Sequence, residues 1–321
     1  MAAVRHVANL QTVLCKLQAV YGVGETALIG TDAAEVYLDG FKASSTPMVS
    51  PIRLAGNGTP SKSVIGPSKG EITMPYPIKN GGAATPGQWT KPLQCSGFKE
   101  TPVGSVYTYT PTYKQSEMKD CTVWAYSGNL DTTSSLLRKM TNCQFDWEIT
   151  LDWRGEAALG KVEFTGFGSS PAAPATATSP AITKNAANIV TIVGATVGFF
   201  GDADYDPLMI KFKNTRGPVP LANYTSGYGM TLLTAPAAIE WEATVYMDTG
   251  ALAETTMRAG TLGTISVMWG TAPEKITIAT AASKAQITEC TVGEQDGVET
   301  YELKGIIVDN DFSIACDCTG A

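Results

Sequence analysis

The sequence predicts a mainly β protein made of two tandem β-sandwich units, each with a flanking helix, and three observations carry that reading. Residues 144–151 alternate cleanly, with Phe145, Trp147, Ile149 and Leu151 on one face and Asp146, Glu148 and Thr150 on the other. Such a period of two marks a half-buried strand. An Ala/Thr/Ser/Pro-rich stretch, GSSPAAPATATSPAITKNAAN at 168–188, interrupts the chain near its middle. Finally, the order strand, helix, strand, hairpin occurs on both sides of that stretch.

Each element has a local reason. Beyond a Gly-containing turn, Val162 and Phe164 alternate with Glu163 and Thr165, which predicts an antiparallel partner for 144–151. Thr85-Pro86-Gly87-Gln88 offers an N-cap, a proline at the first helical position and a capping-box glutamine, and Gly97 closes the predicted helix. The Tyr/Thr-rich run VYTYTPTY within 98–120 reads as a hairpin-like insertion. The central stretch lacks large apolar groups and reads as a linker or an extended surface crossing.

A linker at mid-chain makes internal duplication worth testing. TVWAYSG at 122–128 aligns with TISVMWG at 264–270, an offset of 142. VEFTGF at 162–167 aligns with YELKGI at 301–306, an offset of 139, matching Glu163 to Glu302 and Gly166 to Gly305. Upstream, strand 71–78 followed by the helix from Pro86 matches strand 240–247 followed by a helical stretch from Gly250. The expected division is a first sandwich over 1–170, a linker over 171–187 and a second sandwich over 188–321.

Composition narrows the function. The chain has 321 residues, long enough for two domains of roughly 150 residues. Its net charge of −7 and pI of about 4.9 argue against a dedicated nucleic-acid binder, which carries a basic footprint. The single histidine, His6, removes most triads and imidazole schemes. Seven irregularly spaced cysteines do not form a secreted disulfide framework and read as small buried hydrophobes in a reducing compartment. The N-terminus lacks a signal-peptide apolar core, and the longest apolar run, 189–200, is too short to span a bilayer.

The formal motifs read as ordinary structure. Gly66-Pro67-Ser68-Lys69-Gly70 matches a nucleophile elbow, but no histidine follows it, so it reads as a loop. Asp202, Asp204 and Asp206 open like a calcium loop, yet Pro207 stands where glycine is needed and Lys213 where a bidentate glutamate is needed. Gly22-Val23-Gly24 lacks its third glycine, and Cys316-Asp317-Cys318 lacks a second ligand pair. No catalytic, cofactor or metal site emerges.

The same landmarks carry a family likeness. KLQAVYG, GEITMPYPIKNGG, GQWTKPLQCSGF, YTYTP and FDWEITLDWRGEAALGKVEFTGF resemble, in order, the first half of major tail tube proteins of long-tailed, siphovirus-type bacteriophages. LMIKFKNTRGPVPLANYTSGYGM, EWEATVYMDTGALAETTMRAG, TISVMWGTAPEKITI and GEQDGVETYELKGIIV resemble the second half. The likeness spans nearly the whole chain. Departures are the insertion at 98–120 and the C-terminal tail DNDFSIACDCTGA.

The resemblance implies tail-tube sandwiches whose strands line a ring-shaped β-barrel lumen, with rings stacked into a tube through which DNA passes without specific binding. It implies a virion protein assembled in the host cytoplasm, with no enzymatic activity, no cofactor and no membrane. Its partners are copies of itself and other tail proteins at the tube ends. With two tube domains per chain, three chains form a pseudo-hexameric ring; a hexamer of single composite domains is the runner-up. Three chains at −7 each carry −21, a charge that repels phosphates. Alternatives are a carbohydrate-binding or adhesion module and a β-rich hydrolase.

For ring stacking, the candidate element is the segment between Asp39 and Gly70, with four prolines, many Gly/Ser residues and little periodicity. It reads as a long structureless loop, a kind that is usually functional. Lys42, Arg53, Lys62 and Lys69 make it basic, and Ile52, Leu54, Val64 and Ile65 supply apolar anchors. The acidic surface of a neighbouring ring is its expected docking partner.

Overall fold

The structure, a computed structural model, describes residues 6–20, 23–25, 32–37, 39–53, 60–82, 84–112, 114, 116–129, 134–154, 158–169, 174–178, 180, 182, 187–201, 206–214, 217–223, 227–233, 239–246 and 251–320. Its first half runs through β1 (His6–Leu17), β2 (Lys42–Arg53), β3 (Pro60–Pro77), helix α1 (Thr90–Gln94), β4 (Phe98–Val103) and β5 (Val106–Pro111). Then come β6 (Cys121–Asn129), β7 (Ser134–Asp152), β8 (Gly160–Ser169) and β9 (Ala175–Thr178). The second half opens with β10 (Thr196–Phe199), β11 (Pro207–Asn214), β12 (Pro218–Asn223), β13 (Gly227–Leu233), β14 (Ile239–Tyr246) and helix α2 (Ala251–Ala259). It ends with β15 (Leu262–Gly263), β16 (Ile265–Trp269), β17 (Lys275–Thr280), β18 (Ala285–Gln295), β19 (Val298–Ile307) and β20 (Phe312–Asp317).

The protein is mainly β, with antiparallel sheets, as its sequence pattern predicts. Alternation decides which face of each strand is covered. Phe145, Trp147, Ile149 and Leu151 are buried on β7, and Val162 and Phe164 are buried on its antiparallel partner β8. The same rule buries Ile210 and Phe212 on β11, and Trp241, Ala243 and Val245 on β14. Fully burying each large apolar side chain contributes about 1.5–3 kcal/mol, so these strands hold the two sheets together.

The long sheet runs β15-β18-β19-β14-β11-β7-β8-β3-β2. Ranked by position in the chain, the block β7-β8-β3-β2 reads third, fourth, second, first, and so does β18-β19-β14-β11. A second sheet runs β10-β16-β17-β20-β5-β4. Both sheets therefore take strands from both halves, through the β7–β11 pairing in one and the β5–β20 pairing in the other. The larger of two apolar clusters among the described residues includes residues of both halves, and the smaller gathers Leu14, Ala33, Trp124 and Tyr126.

The two halves, expected as tandem sandwiches, share both sheets and are fused side by side. The reason is physical, since an edge strand with a buried face pairs with whatever edge lies next to it, and Ile149 of β7 stands opposite Phe212 of β11. The expected linker contains a strand. Within 171–187, residues 175–178 form β9, which pairs with β7 between Ser134 and Leu137.

β7 serves two ladders in turn. Residues 136–143 pair with β6, whereas 144–151 pair with β8, and the register shifts between Thr141 and Gln144. Asn142 sits at this crossing with φ of 53°, a left-handed conformation that asparagine tolerates better than most residues. In the second half the same passage, from β17 to β18, is made by a turn with Ser283 at φ 56°.

Other expectations fare differently. The insertion forms the β4–β5 hairpin, and the helical stretch after Gly250 is α2. The helix expected from Pro86 instead begins at Thr90 and has five residues, without a side-chain cap. Residues 81–82 and 84–87 are held in a turn against the end of β3: Gly81 N–H donates to the Thr85 carbonyl, and Trp89 Nε1 donates to the Lys79 carbonyl at 2.7 Å. Gly66–Gly70 lies inside β3 and not in a loop. Positions 202–205 and 22 lie outside the described residues.

All seven cysteines are free thiols; six are buried and Cys290 is half-buried. Burial pushes the Cys95 thiol up to about 11. Among the described residues no helix is long and apolar enough to cross a membrane.

Buried polar groups also tie the halves together. Asn80 Nδ2 donates to the Pro273 carbonyl at 2.7 Å and approaches those of Lys275 and Asp317 at 3.3 Å. An acid at this position faces three carbonyl oxygens. Asn80→Asp is expected to lower stability by about 2–3 kcal/mol at pH 7, read as a fall in the urea midpoint.

Asp120, before β6, is buried and accepts a hydrogen bond from Gln144 Nε2 at 2.7 Å. Burial raises its carboxyl from 3.8 to about 6. Because the folded-state value is the higher one, the folded protein keeps a proton that the unfolded chain has already released between those two pH values. This contribution to stability is complete below about pH 4 and is lost as the pH rises through about 6. Asp120→Asn is therefore expected to stabilise the protein on the order of 1–2 kcal/mol at pH 8 and by nothing at pH 4. Thermal melts at both pH values check this.

Candidate functional site

The candidate functional surface is the face of the long sheet turned away from the core. Because side chains alternate, every strand that buries an apolar row presents a polar row opposite. On β7 that row is Asp146, Glu148 and Thr150; on β8 it is Lys161, Glu163 and Thr165. β11 contributes Lys211 and Lys213, and β14 contributes Glu240 and Glu242. β19 and β18 continue the row with Glu302, Lys304 and Glu289.

Opposite charges interlock across these strands. Lys213 Nζ lies 2.5 Å from Glu242 and 3.7 Å from Glu240, and Lys211 lies 3.4 Å from Glu148. Lys304 of β19 pairs with Glu289 of β18 at 3.1 Å, whereas Lys161 pairs with Glu163 along its own strand at 3.2 Å. Each exposed pair contributes only about 0.2–1 kcal/mol. Carboxylates outnumber lysines in these rows, so the face is acidic.

A cleft of about 190 Å³ opens between β7, β8 and β11, lined by Asp146, Glu148, Glu163, Thr165, Lys213 and Asn214. Burial pushes the Asp146 carboxyl up to about 6; the Trp147 N–H, which it accepts at 2.8 Å, works against that rise, and the charge of Glu148 adds to it. The cleft holds no nucleophile paired with a base. Among the described residues no group of three or more His, Cys, Asp or Glu could hold a metal ion. What this face offers is a charge field.

The predicted stacking segment is not structureless. It is a two-stranded arm in which β2 pairs with β3 from Lys42↔Thr73 to Arg53↔Pro60. β3 pairs with β8 only over Lys69–Pro77, so the outer part of the arm pairs with itself alone. Prolines hid the strands from a reading of period. They are accommodated because the arm lies at the sheet edge and its register shifts at Pro47/Val49 and Ile52/Arg53.

Ile52 and Arg53 stand on one strand of the arm, and Lys62, Val64 and Ile65 on the other. Leu54 lies outside the described residues. Lys42 is exposed at the base of the arm. Lys69 is already engaged, 2.9 Å from Glu71 and 3.8 Å above the Phe167 ring. The second half has a matching arm, β12–β13, inserted between β11 and β14, whose backbone lies alongside β7, β8 and β3.

Sequence reading missed the charged face. Its signal was present in the pairs 146/148, 211/213, 240/242 and 302/304, each two residues apart. Only the sheet brings them together. A scan against protein-family models finds no match to this chain, and no curated protein matches it.

Proposed function

We propose that this chain is a structural subunit of a phage tail tube, with two tandem tube domains whose shared long sheet lines a barrel-shaped lumen. The observation that carries the reading is the repeated four-strand order along one sheet, with an edge left open at β2. A sheet that repeats by lateral translation has no reason to stop after two units, and rotation at each seam closes it into a ring. The sequence resemblance supplies the kind of ring. The acidic polar face suits a conduit wall, because it repels phosphates and lets DNA slide.

Three chains supply six domains to a pseudo-hexameric ring, with other tail proteins at the ends of the stack. The tryptophans that a glycan-binding module would present, Trp89, Trp124, Trp147, Trp241 and Trp269, are buried instead. Negative-stain microscopy and native mass measurement of the purified protein test the reading. Stacked rings of three chains are expected; a monomer at every concentration tried, with no rings in the particle, overturns it. Rings of six chains would replace the trimer with the hexamer.

The arms are the stacking elements in this reading, the basic β2–β3 arm docking on the acidic surface of the next ring. Deleting residues 45–66 is expected to leave a folded chain by circular dichroism, because that part of the arm pairs with itself. The deletion variant should form single rings and no tubes. Tubes of normal length from it would exclude the arm from stacking.

A further inference from the structure

We infer that one copy of this chain joins the next edge to edge, with β2 of one antiparallel to β18 of the other, in the register that β11 and β7 adopt within each chain. The inference rests on the tube reading for ring closure and on the internal seam for its geometry. The equivalence of the two seams is fixed by two glycines. Gly166 of β8 faces Ile72 of β3, which faces Ala43 of β2. Gly305 of β19 faces Trp241 of β14, which faces Phe212 of β11. Ala43 thus holds the place of Phe212.

On the other side of the block, Ile149 of β7 faces Val162, four residues before Gly166. Val292 of β18 faces Tyr301, four residues before Gly305. Val292 thus holds the place of Ile149. Within the chain, Phe212 and Ile149 stand directly opposite each other. The repeat therefore sets Ala43 of one copy opposite Val292 of the next, with Lys42 opposite Gly293 and Ser44 opposite Thr291.

Exposure supports the assignment. Phe212 and Ile149 are completely buried at the internal seam, whereas Val292 is 54% exposed. An apolar residue in the core-facing row is left open because the lateral neighbour that covers its counterpart is missing. Among the described residues the only strand paired with the outer edge of β18 is β15, at Ala285 and Gln286. β2 ends the sheet on the opposite side. Two open edges of this kind aggregate unless each has a defined partner, and the complementary pair is each edge's natural one. The charges agree, since β2 brings the exposed Lys42 to a strand that carries Glu289 and Glu294.

Cross-linking tests the register. In a Cys290→Ser background, Ala43→Cys and Val292→Cys are combined, and the protein is treated with a short bifunctional thiol reagent at assembling concentration. A ladder of covalent dimers and trimers is expected on a denaturing gel, and neither single variant should give one. Moving the first thiol two residues along, with Ser45→Cys in place of Ala43→Cys, should cut the yield at least tenfold. Rings without a ladder overturn the register and leave the tube reading standing. A ladder without rings or tubes keeps the seam and overturns the tube reading, and neither product overturns both. If the double variant fails to fold, amide exchange of the unmodified protein decides. The amides of 42–44 and 291–293 should gain protection on assembly, and unchanged rapid exchange there would overturn the seam.

Discussion

Gly305→Ala is expected to destabilise the protein by about 3 kcal/mol, and Gly166→Ala by nearly as much, both read from urea unfolding at pH 7. A Cβ on Gly305 would fall inside the contact distance of the Gln286 carbonyl oxygen and the Trp241 ring. On Gly166 it would meet the Gln144 carbonyl oxygen, and lie 2.8 Å from Phe145 Cα. In both places one obstacle is backbone of the neighbouring strand in a paired ladder. Backbone cannot rotate aside, so the strand must move and the ladder must bend. If either substitution costs under about 0.5 kcal/mol, the close approach across these strands is not needed by the fold.

Phe312→Ala is expected to lower stability by about 3–5 kcal/mol and to weaken both halves at once. Phe312 lies on β20, yet its ring stacks on Trp147 of β7 at 5.7 Å and lies 6.3 Å from Phe98 of β4. It also lies 5.1 Å from Phe212 of β11. One ring thus touches strands of both sheets and both halves. Aromatic pairs of this geometry contribute about 0.5–1.5 kcal/mol each beyond their buried area. Intrinsic fluorescence and circular dichroism should report one coincident unfolding transition in the parent and the variant. Two separated transitions in the parent would show that the halves unfold independently.

The sequence made strand positions legible where alternation is uninterrupted, as at 144–151, and where a glycine repeats with a cause, as at Gly166 and Gly305. Alignment paired those two glycines before any strand order was known. The helix start was misplaced because Thr85 and Pro86 imitate a cap while their backbone is occupied in the turn that Gly81 closes. The arm was hidden because Pro47, Pro51, Pro60 and Pro67 break every run long enough to show a period. Side-by-side fusion could not be read at all. Pairing between β7 and β11 depends on two edges meeting in space, and the residues that meet, Ile149 and Phe212, look like any buried strand residues.

The change of partner along β7 has a mechanical consequence. Nineteen residues of one unbroken strand have a contour length of roughly 60 Å, and its covalent backbone passes from the β6 ladder to the β8 ladder at Asn142. A pull along β7 is therefore carried along peptide bonds before it reaches a hydrogen bond. The ladders on the two sides of Asn142 are then loaded together in shear, so their bonds break in concert and not one at a time.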